Sequence, residues 1–326
     1  MKKHILVIAD WLHQKLQRST LSAIAFAQQL LQRGGSFSIV VVGKGATTAA
    51  SEVAHFGAEA VLIVDTPSLS YPLCEHIAPT LASIAQTKSF EVVVVASTSF
   101  GKEIAPRLAA ILQAGYASDI HAVSLQENKL AYKRALLAGN AYGTCSIETP
   151  IHVVSIRQGE FPIAEPIPSS SPIEFIPLLP SDEAALRTEF LSLSSEQSRA
   201  TNLGDARIIV AGGRPLKERF IELLSPLAEA LGATLGATRP PCEGGHAPPE
   251  LQIGQTGRSI SPLLYLAIGI SGALQHTAGI KNARVIVAIN QDASAPIFNI
   301  ADYGLVADLF VAVPELVNAL KAIQNT

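Results

Sequence analysis

Four apolar runs dominate the first hundred residues: ILVIAD (5–10), FSIVVVG (37–43), AVLIVD (60–65) and FEVVVVAST (90–98). A strand with one wet face alternates apolar and polar side chains. These runs do not alternate, so both faces must be covered, which is the condition of a parallel sheet between helices. The segments between them read as those helices. Thr20 is placed to cap one, with Leu21, Ile24, Ala27, Leu30 and Leu31 along a single face and Gly34-Gly35 ending it. A short helix is expected around 47–56, another over 73–87, and FGKEIAPRLAAILQAG (100–115) opens a fourth. Strands alternating with helices place the chain in the α/β class.

From about residue 118 the texture changes. YKRALLAG, IHVVSIRQ, IEFIPLL and RTEFLSLS are shorter and more alternating, which suits mixed or antiparallel strands. The Pro- and Ser-rich stretch 162–175 reads as a surface connection, and the polar segment 194–206 as a linker. Two domains are therefore expected, 1–203 and 204–326, each long enough for its own core. The second repeats the strand–helix alternation. RIIVAGG (207–213), ATLGAT (233–238), LLYLAIGI (263–270), ARVIVAIN (283–290) and GLVAD (304–308) are its strands. Helices are expected at 216–231, from Ser271 onward and at 309–323, with a Pro-rich loop at 240–249. The fold expected is two doubly wound, mainly parallel-sheet domains, the C-terminal one Rossmann-like.

Composition narrows the partners. A formal charge of −3 leaves no basic footprint for nucleic acid and no polybasic membrane patch. Cys74, Cys145 and Cys242 are far apart and form no CxxC, so they read as buried small side chains in a reducing compartment. Two lysines precede the first apolar run, but Asp10 stops it short of the ~7–15 residues of a secretory core and far short of a spanning helix of ~20. No membrane insertion is expected, and a cytoplasmic prokaryotic protein is the expectation.

The polar clusters that could carry chemistry fall where strands stop. GKGATT (43–48) lacks the last glycine of GxGxxG, and reads as a tight turn more readily than as a nucleotide site. Gly212-Gly213-Arg214 sits at the first strand end of the second domain, where N–H groups and a guanidinium can take a pyrophosphate. Thr238-Arg239 ends the next strand. Ile253, Gly254, Gln255 and Thr256 make a turn able to present a hydroxyl and an amide. Ser271, Gly272, Ala273, Leu274, Gln275 and His276 open a helix whose free N–H groups favour an anion. Each cluster alone has a bland reading as a glycine turn or a solvated side chain. Together they occupy consecutive strand ends of one domain, where open α/β sheets bind ligands.

These residues also carry a resemblance. RIIVAGGR, GATR, LQIGQTGR, LYLAIGISGALQH, VIVAIN and APIFNIADYGLVADLFVAVPEL resemble the electron transfer flavoprotein α subunit, as do STSFGKEIAPRLAA (97–110) and RALLAGNA (134–141). The resemblance implies one half of an α/β heterodimer, with FAD in the C-terminal domain and an electron transfer flavoprotein β subunit closing over it. It implies cofactor contacts from Arg214, Thr238, Arg239, Ile253, Gly254, Gln255, Thr256 and the stretch Ser271 through His276. Asn290, Asp308 and Leu309 match positions near the adenosine end. Implied donors are acyl-CoA or other flavin dehydrogenases, and the implied acceptor is a membrane quinone oxidoreductase. Arg239 and His276 would supply positive charge near the flavin ring and Thr256 a hydrogen bond. Two departures stand out: the family's GGRG is GGRP here, and its Ser-Arg pair is Thr238-Arg239. Pro240-Pro241-Cys242 is also unusual. The alternatives are an NAD-dependent oxidoreductase using the GKGATT turn and a subunit without cofactor.

Overall fold

The computed structural model describes residues 3–12, 15–31, 34–71, 73–126, 129–137, 141–157, 159–179, 187–191, 203–204, 206–280 and 283–324. The chain divides into two compact units, Met1–Ser194 and Ser195–Thr326. The division falls at the start of the 194–206 segment, which lies outside the described residues except for 203, 204 and 206.

The first unit is built on β1 (Lys3–Ile8), a two-residue ribbon of β2 (Trp11–Leu12) with β3 (Lys15–Leu16), then α1 (Arg18–Leu31) and β4 (Gly35–Val42). There follow α2 (Ala46–Val53), β5 (Val61–Val64), α3 (Cys74–Thr87), β6 (Val92–Ala96) and α4 (Ser99–Leu112). β7 (Gly115–Gln126), β8 (Lys129–Leu136), β9 (Ala141–Ser146), β10 (His152–Ile156) and β11 (Ile173–Phe175) complete it. Nine strands form one sheet in the order β11-β5-β4-β1-β6-β10-β7-β8-β9. Both faces are buried, as the unbroken apolar runs require. Ile5, Val7, Ile39 and Val41 pack under α1 and α2, while Leu6, Ile8, Val40 and Leu62 pack against α3 and α4.

The second unit holds β12 (Ile208–Gly212), α5 (Phe220–Leu231), β13 (Thr234–Ala237), α6 (Arg239–Glu243), β14 (Leu264–Ile268), α7 (Leu274–Thr277), β15 (Ile286–Asn290), β16 (Tyr303–Val306) and α8 (Leu309–Gln324). Its five strands run parallel in the order β13-β12-β14-β15-β16. Counted within the unit this is 2-1-3-4-5, a doubly wound order whose switch point lies between β12 and β14. Gly212 faces Leu216, Phe220 and Leu224 of the α5 side. By strand alternation Ile209, Ala211 and Tyr265 face the other way, under the segments that carry Ile253 and His276.

Several expectations need correction. Thr20 does not cap α1, which starts two residues earlier. It is buried and exchanges two 2.8 Å hydrogen bonds with the backbone of Asp10, pinning the end of β1. IHVVSIRQ is neither alternating nor antiparallel: β10 lies between β6 and β7, parallel to both, with all five of its residues buried. IEFIPLL supplies only the edge strand β11, also parallel, beside β5. Of RTEFLSLS, residues 187–191 are not strand and 192–194 lie outside the described residues. The helix expected over 216–231 is a 3₁₀ turn at Arg214–Arg219 followed by α5, because Lys217 takes φ 44°, ψ −131° and breaks the helical path. The Pro-rich loop contains α6, with Pro240 and Pro241 at the first positions, where a missing N–H costs nothing. The helix expected from Ser271 is the four-residue α7.

Cys74 is buried, but Cys145 and Cys242 are half-exposed; all three are free thiols. Among the described residues no helix is long and apolar enough to cross a membrane.

Candidate functional site

The carboxyl ends of the five strands in the second unit bring every expected residue to one edge. Gly213 and Arg214 follow β12, Thr238 and Arg239 follow β13, and Ser271 to His276 follow β14. Asn290 ends β15, and Asp308 and Leu309 follow β16. The Ile253–Thr256 turn joins this edge because Ile253 N donates to Ala237 O at the end of β13.

At the switch point the loops after β12 and β14 lie against one another. Gly213 N donates to Ile268 O at 2.9 Å, and a Cβ on Gly213 would overlap the carbonyl of Gly269. Gly269 has φ +64° and Gly272 φ +85°, so the chain leaving β14 follows a left-handed path open to glycine. A Cβ at Gly272 would stand 2.6 Å from Ile297 Cα, and Ile297 N donates to Ser271 O. Asn290 bridges neighbouring loops: Nδ2 donates to Ile270 O at 3.0 Å, and Oδ1 accepts from Asp292 N.

This packing leaves donors to spare. Among the described residues, the backbone N–H groups of Ser271, Gly272, Ala273, Leu274 and Gln275 donate to no protein acceptor. Ser271, Ala273, Leu274 and Gln275 are exposed there, while Gly272 is buried. Arg214 is exposed and makes no ion pair among the described residues. Backbone donors in a row and an uncommitted guanidinium on the adjoining loop, across a glycine seam where backbones approach closely, fit a pyrophosphate.

The other expected residues are placed as follows. Arg239 is exposed, and its Nε pairs with Glu243 Oε1 at 2.7 Å, so part of its charge is already offset. Thr238 is buried, its N–H on Gly212 O and its hydroxyl within 3.5 Å of the same carbonyl. Gln255 and Thr256 expose their side chains, and Thr256 Oγ1 accepts from Gln252 Nε2. Asp308 caps α8, its Oδ1 accepting from Phe310 N at 2.9 Å, so that helix end already holds its own anion. Leu309 is buried against Gly269.

His276 departs from its expected role as a positive charge. Its side chain is buried, with Nε2 2.7 Å from the hydroxyl of Tyr265 and Nδ1 3.0 Å from Ile253 O. Burial pushes the imidazole down to about 4, against the opposing pull of the Ile253 carbonyl. The ring is neutral at pH 7, and both its nitrogens face protein atoms.

The donors of the GKGATT turn are met within the chain. Gly45 N donates to Asp65 Oδ1 at 2.9 Å, and both N and Oγ1 of Thr47 donate to Oδ2. The turn's donors hold a carboxylate of the chain itself, and these bonds keep Asp65 below its ordinary range despite partial desolvation. A nicotinamide dinucleotide would have to displace that carboxylate.

Two contributors escaped the sequence reading: Tyr265 and Glu243. Tyr265 alone left a signal, since a phenol inside an aliphatic strand needs a partner for its hydroxyl.

Comparison with known proteins identifies the family. Residues 5–178 match the family model described as electron transfer flavoprotein domain, and residues 202–281 match the electron transfer flavoprotein FAD-binding domain. A probable mitochondrial electron transfer flavoprotein subunit alpha of Caenorhabditis elegans is 39% identical over 97% of this chain and 93% of its own length. The electron transfer flavoprotein subunit alpha of Pseudomonas aeruginosa is 38% identical over 97% of this chain and 99% of its own. That of Bacillus subtilis is 36% identical over 98% of each. With both units matched and relatives 36–39% identical over nearly its whole length, the chain belongs to the electron transfer flavoprotein α-subunit family.

Proposed function

We propose that this chain holds one FAD along the strand-end edge of its second unit and serves as an electron carrier without substrate chemistry of its own. The observation that carries this reading is the row of unpaired N–H groups at 271–275 beside the uncommitted Arg214, at the switch point of a doubly wound sheet. When bound, the flavin supplies the redox chemistry; the protein binds, orients and tunes it. Arg214 and the 271–275 backbone would take the pyrophosphate. By the family resemblance, Thr238, Arg239, Ile253, Gly254, Gln255 and Thr256 would lie toward the ring, and Asn290, Asp308 and Leu309 toward the adenosine. Leu274, 70% exposed, is available for contact above the edge.

The same reading assigns residues 1–203 to contact with a β subunit and 204–326 to FAD. Flavin dehydrogenases, acyl-CoA dehydrogenases among them, would donate electrons, and a membrane quinone oxidoreductase would accept them one at a time. The test is the α chain co-purified with its β partner. A yellow complex with one FAD bound to the α chain is the expected result. A colourless complex that takes up no added FAD would overturn the reading, and nicotinamide binding in its place would favour the dehydrogenase alternative.

A further inference from the structure

We propose that Tyr265 is a positioning residue for this edge: by donating its hydroxyl to His276 Nε2, it seats the imidazole whose Nδ1–H pins Ile253 and the Gln255–Thr256 turn beyond it. The inference rests on the flavin reading for its consequence, but not for its geometry.

The direction of each bond follows from the atoms. Ile253 O can only accept, so His276 Nδ1 carries the hydrogen in the 3.0 Å contact. A neutral imidazole has one such hydrogen, which leaves Nε2 an acceptor. The group 2.7 Å away is the hydroxyl of Tyr265, which therefore donates. Tyr265 is wholly buried on β14 and His276 nearly so, so water does not substitute readily for either contact.

What the ring holds is a seam between two segments. Gln255 N donates to Gln275 O at 2.7 Å, and Ile260 N donates to Gly279 O at 2.8 Å. A Cβ on Gly254 would stand 2.7 Å from Gln275 O, and one on Gly279 would stand 2.6 Å from Gly254 N. The 253–257 turn thus lies directly on the 271–279 segment, with the His276 ring as the joint between Ile253 and β14. A phenylalanine at 265 would fill nearly the same volume but leave Nε2 an acceptor with no donor. The ring hydrogen would stay on Nδ1, where Ile253 O still accepts it, but the ring would lose the contact that seats it on β14. The turn bearing Gln255 and Thr256 would then hang on a ring no longer tied to β14, while the sheet stayed packed.

The test uses the complex with its β partner, its α chain labelled with 15N-histidine and the His276 signals assigned by loss in a His276→Gln variant. At pH 7 the wild-type ring is expected to show a protonated Nδ1 and a bare Nε2, with and without FAD. In Tyr265→Phe the ring hydrogen should stay on Nδ1, the Nε2 signal should move to that of a nitrogen accepting no hydrogen bond, and FAD affinity should fall about ten-fold, the effect of one buried acceptor left unpaired. His276→Gln, whose amide can make both contacts in the same sense, should stay within roughly three-fold of wild type, whereas His276→Leu should lose affinity as Tyr265→Phe does. A wild-type ring protonated at Nε2, or equal affinities for wild type and His276→Leu, would overturn the proposal. Should the wild-type complex bind no FAD, the flavin reading fails while the nitrogen signals still decide the tautomer.

Discussion

Replacing Gly213 with alanine tests the seam at the switch point. Gly213 has φ −100° and ψ −177°, extended backbone that alanine adopts without strain. Any cost must therefore come from contact. The new Cβ would overlap the carbonyl of Gly269, 2.6 Å from its carbonyl carbon and 3.1 Å from Ile270 Cα. These are backbone atoms, which cannot swing aside as a side-chain end would. Overpacking of this kind costs about 1–3 kcal/mol. Separating the loops also weakens the Gly213 N to Ile268 O bond, worth about 0.5–1.5 kcal/mol. The expected loss is about 2–4 kcal/mol, read as a lower urea midpoint with an unchanged slope. The control is Gly232→Ala, where φ is +59° but no atom lies within 4 Å of the new Cβ. Its cost is limited to left-handed strain of about 1–2 kcal/mol. In the complex, Gly213→Ala should also weaken FAD binding and Gly232→Ala should not. If Gly213→Ala proves no more destabilising than Gly232→Ala, the reasoning about the seam is wrong.

Other outcomes follow from single groups. Arg214→Ala should lower FAD affinity about 10- to 100-fold, the worth of charge-assisted bonds to phosphate, with little change in melting temperature because the side chain is exposed. Arg239→Ala should lower the flavin's reduction potential, and Glu243→Gln, by releasing Arg239, should raise it; potentiometric titration should show shifts of roughly 40 mV for about 1 kcal/mol of a water-screened charge. His276 is held near 4 in the fold against 6.5 unfolded, so the unfolded chain binds its proton first as pH falls. Its contribution, roughly 3 kcal/mol, is present above pH 6.5 and lost between there and about 4; denaturation curves across that window should be flatter for His276→Gln. Lys217→Gly should relieve the strain at φ 44° and raise stability by about 1 kcal/mol in the same assay.

Unbroken apolar runs made the parallel sheets legible, because a strand buried on both faces has no polar residues to spare. Strand ends were legible for the same reason: glycine, threonine and arginine appear where apolar burial stops. Long-range pairing was not. The five residues of β10 look like a stray strand until β6 and β7 are seen on either side. The break after Arg214 was hidden because Pro215 suits a helix start, and only the positive φ at Lys217 shows that the first turn is separate. His276 was named, but its partners were not: the Tyr265 hydroxyl and the Ile253 carbonyl hold its ring inward. Partners eleven and twenty-three residues away leave no local pattern.

Amide hydrogen exchange on the α/β complex, with and without FAD, measures the central proposition most directly. Unpaired N–H groups at 271–275 exchange freely, so the cofactor should slow exchange there and at 213–214, 238–239 and 254–256, while 43–48 stays unchanged. Protection confined to 43–48, or none at the strand ends despite bound flavin, would contradict the account.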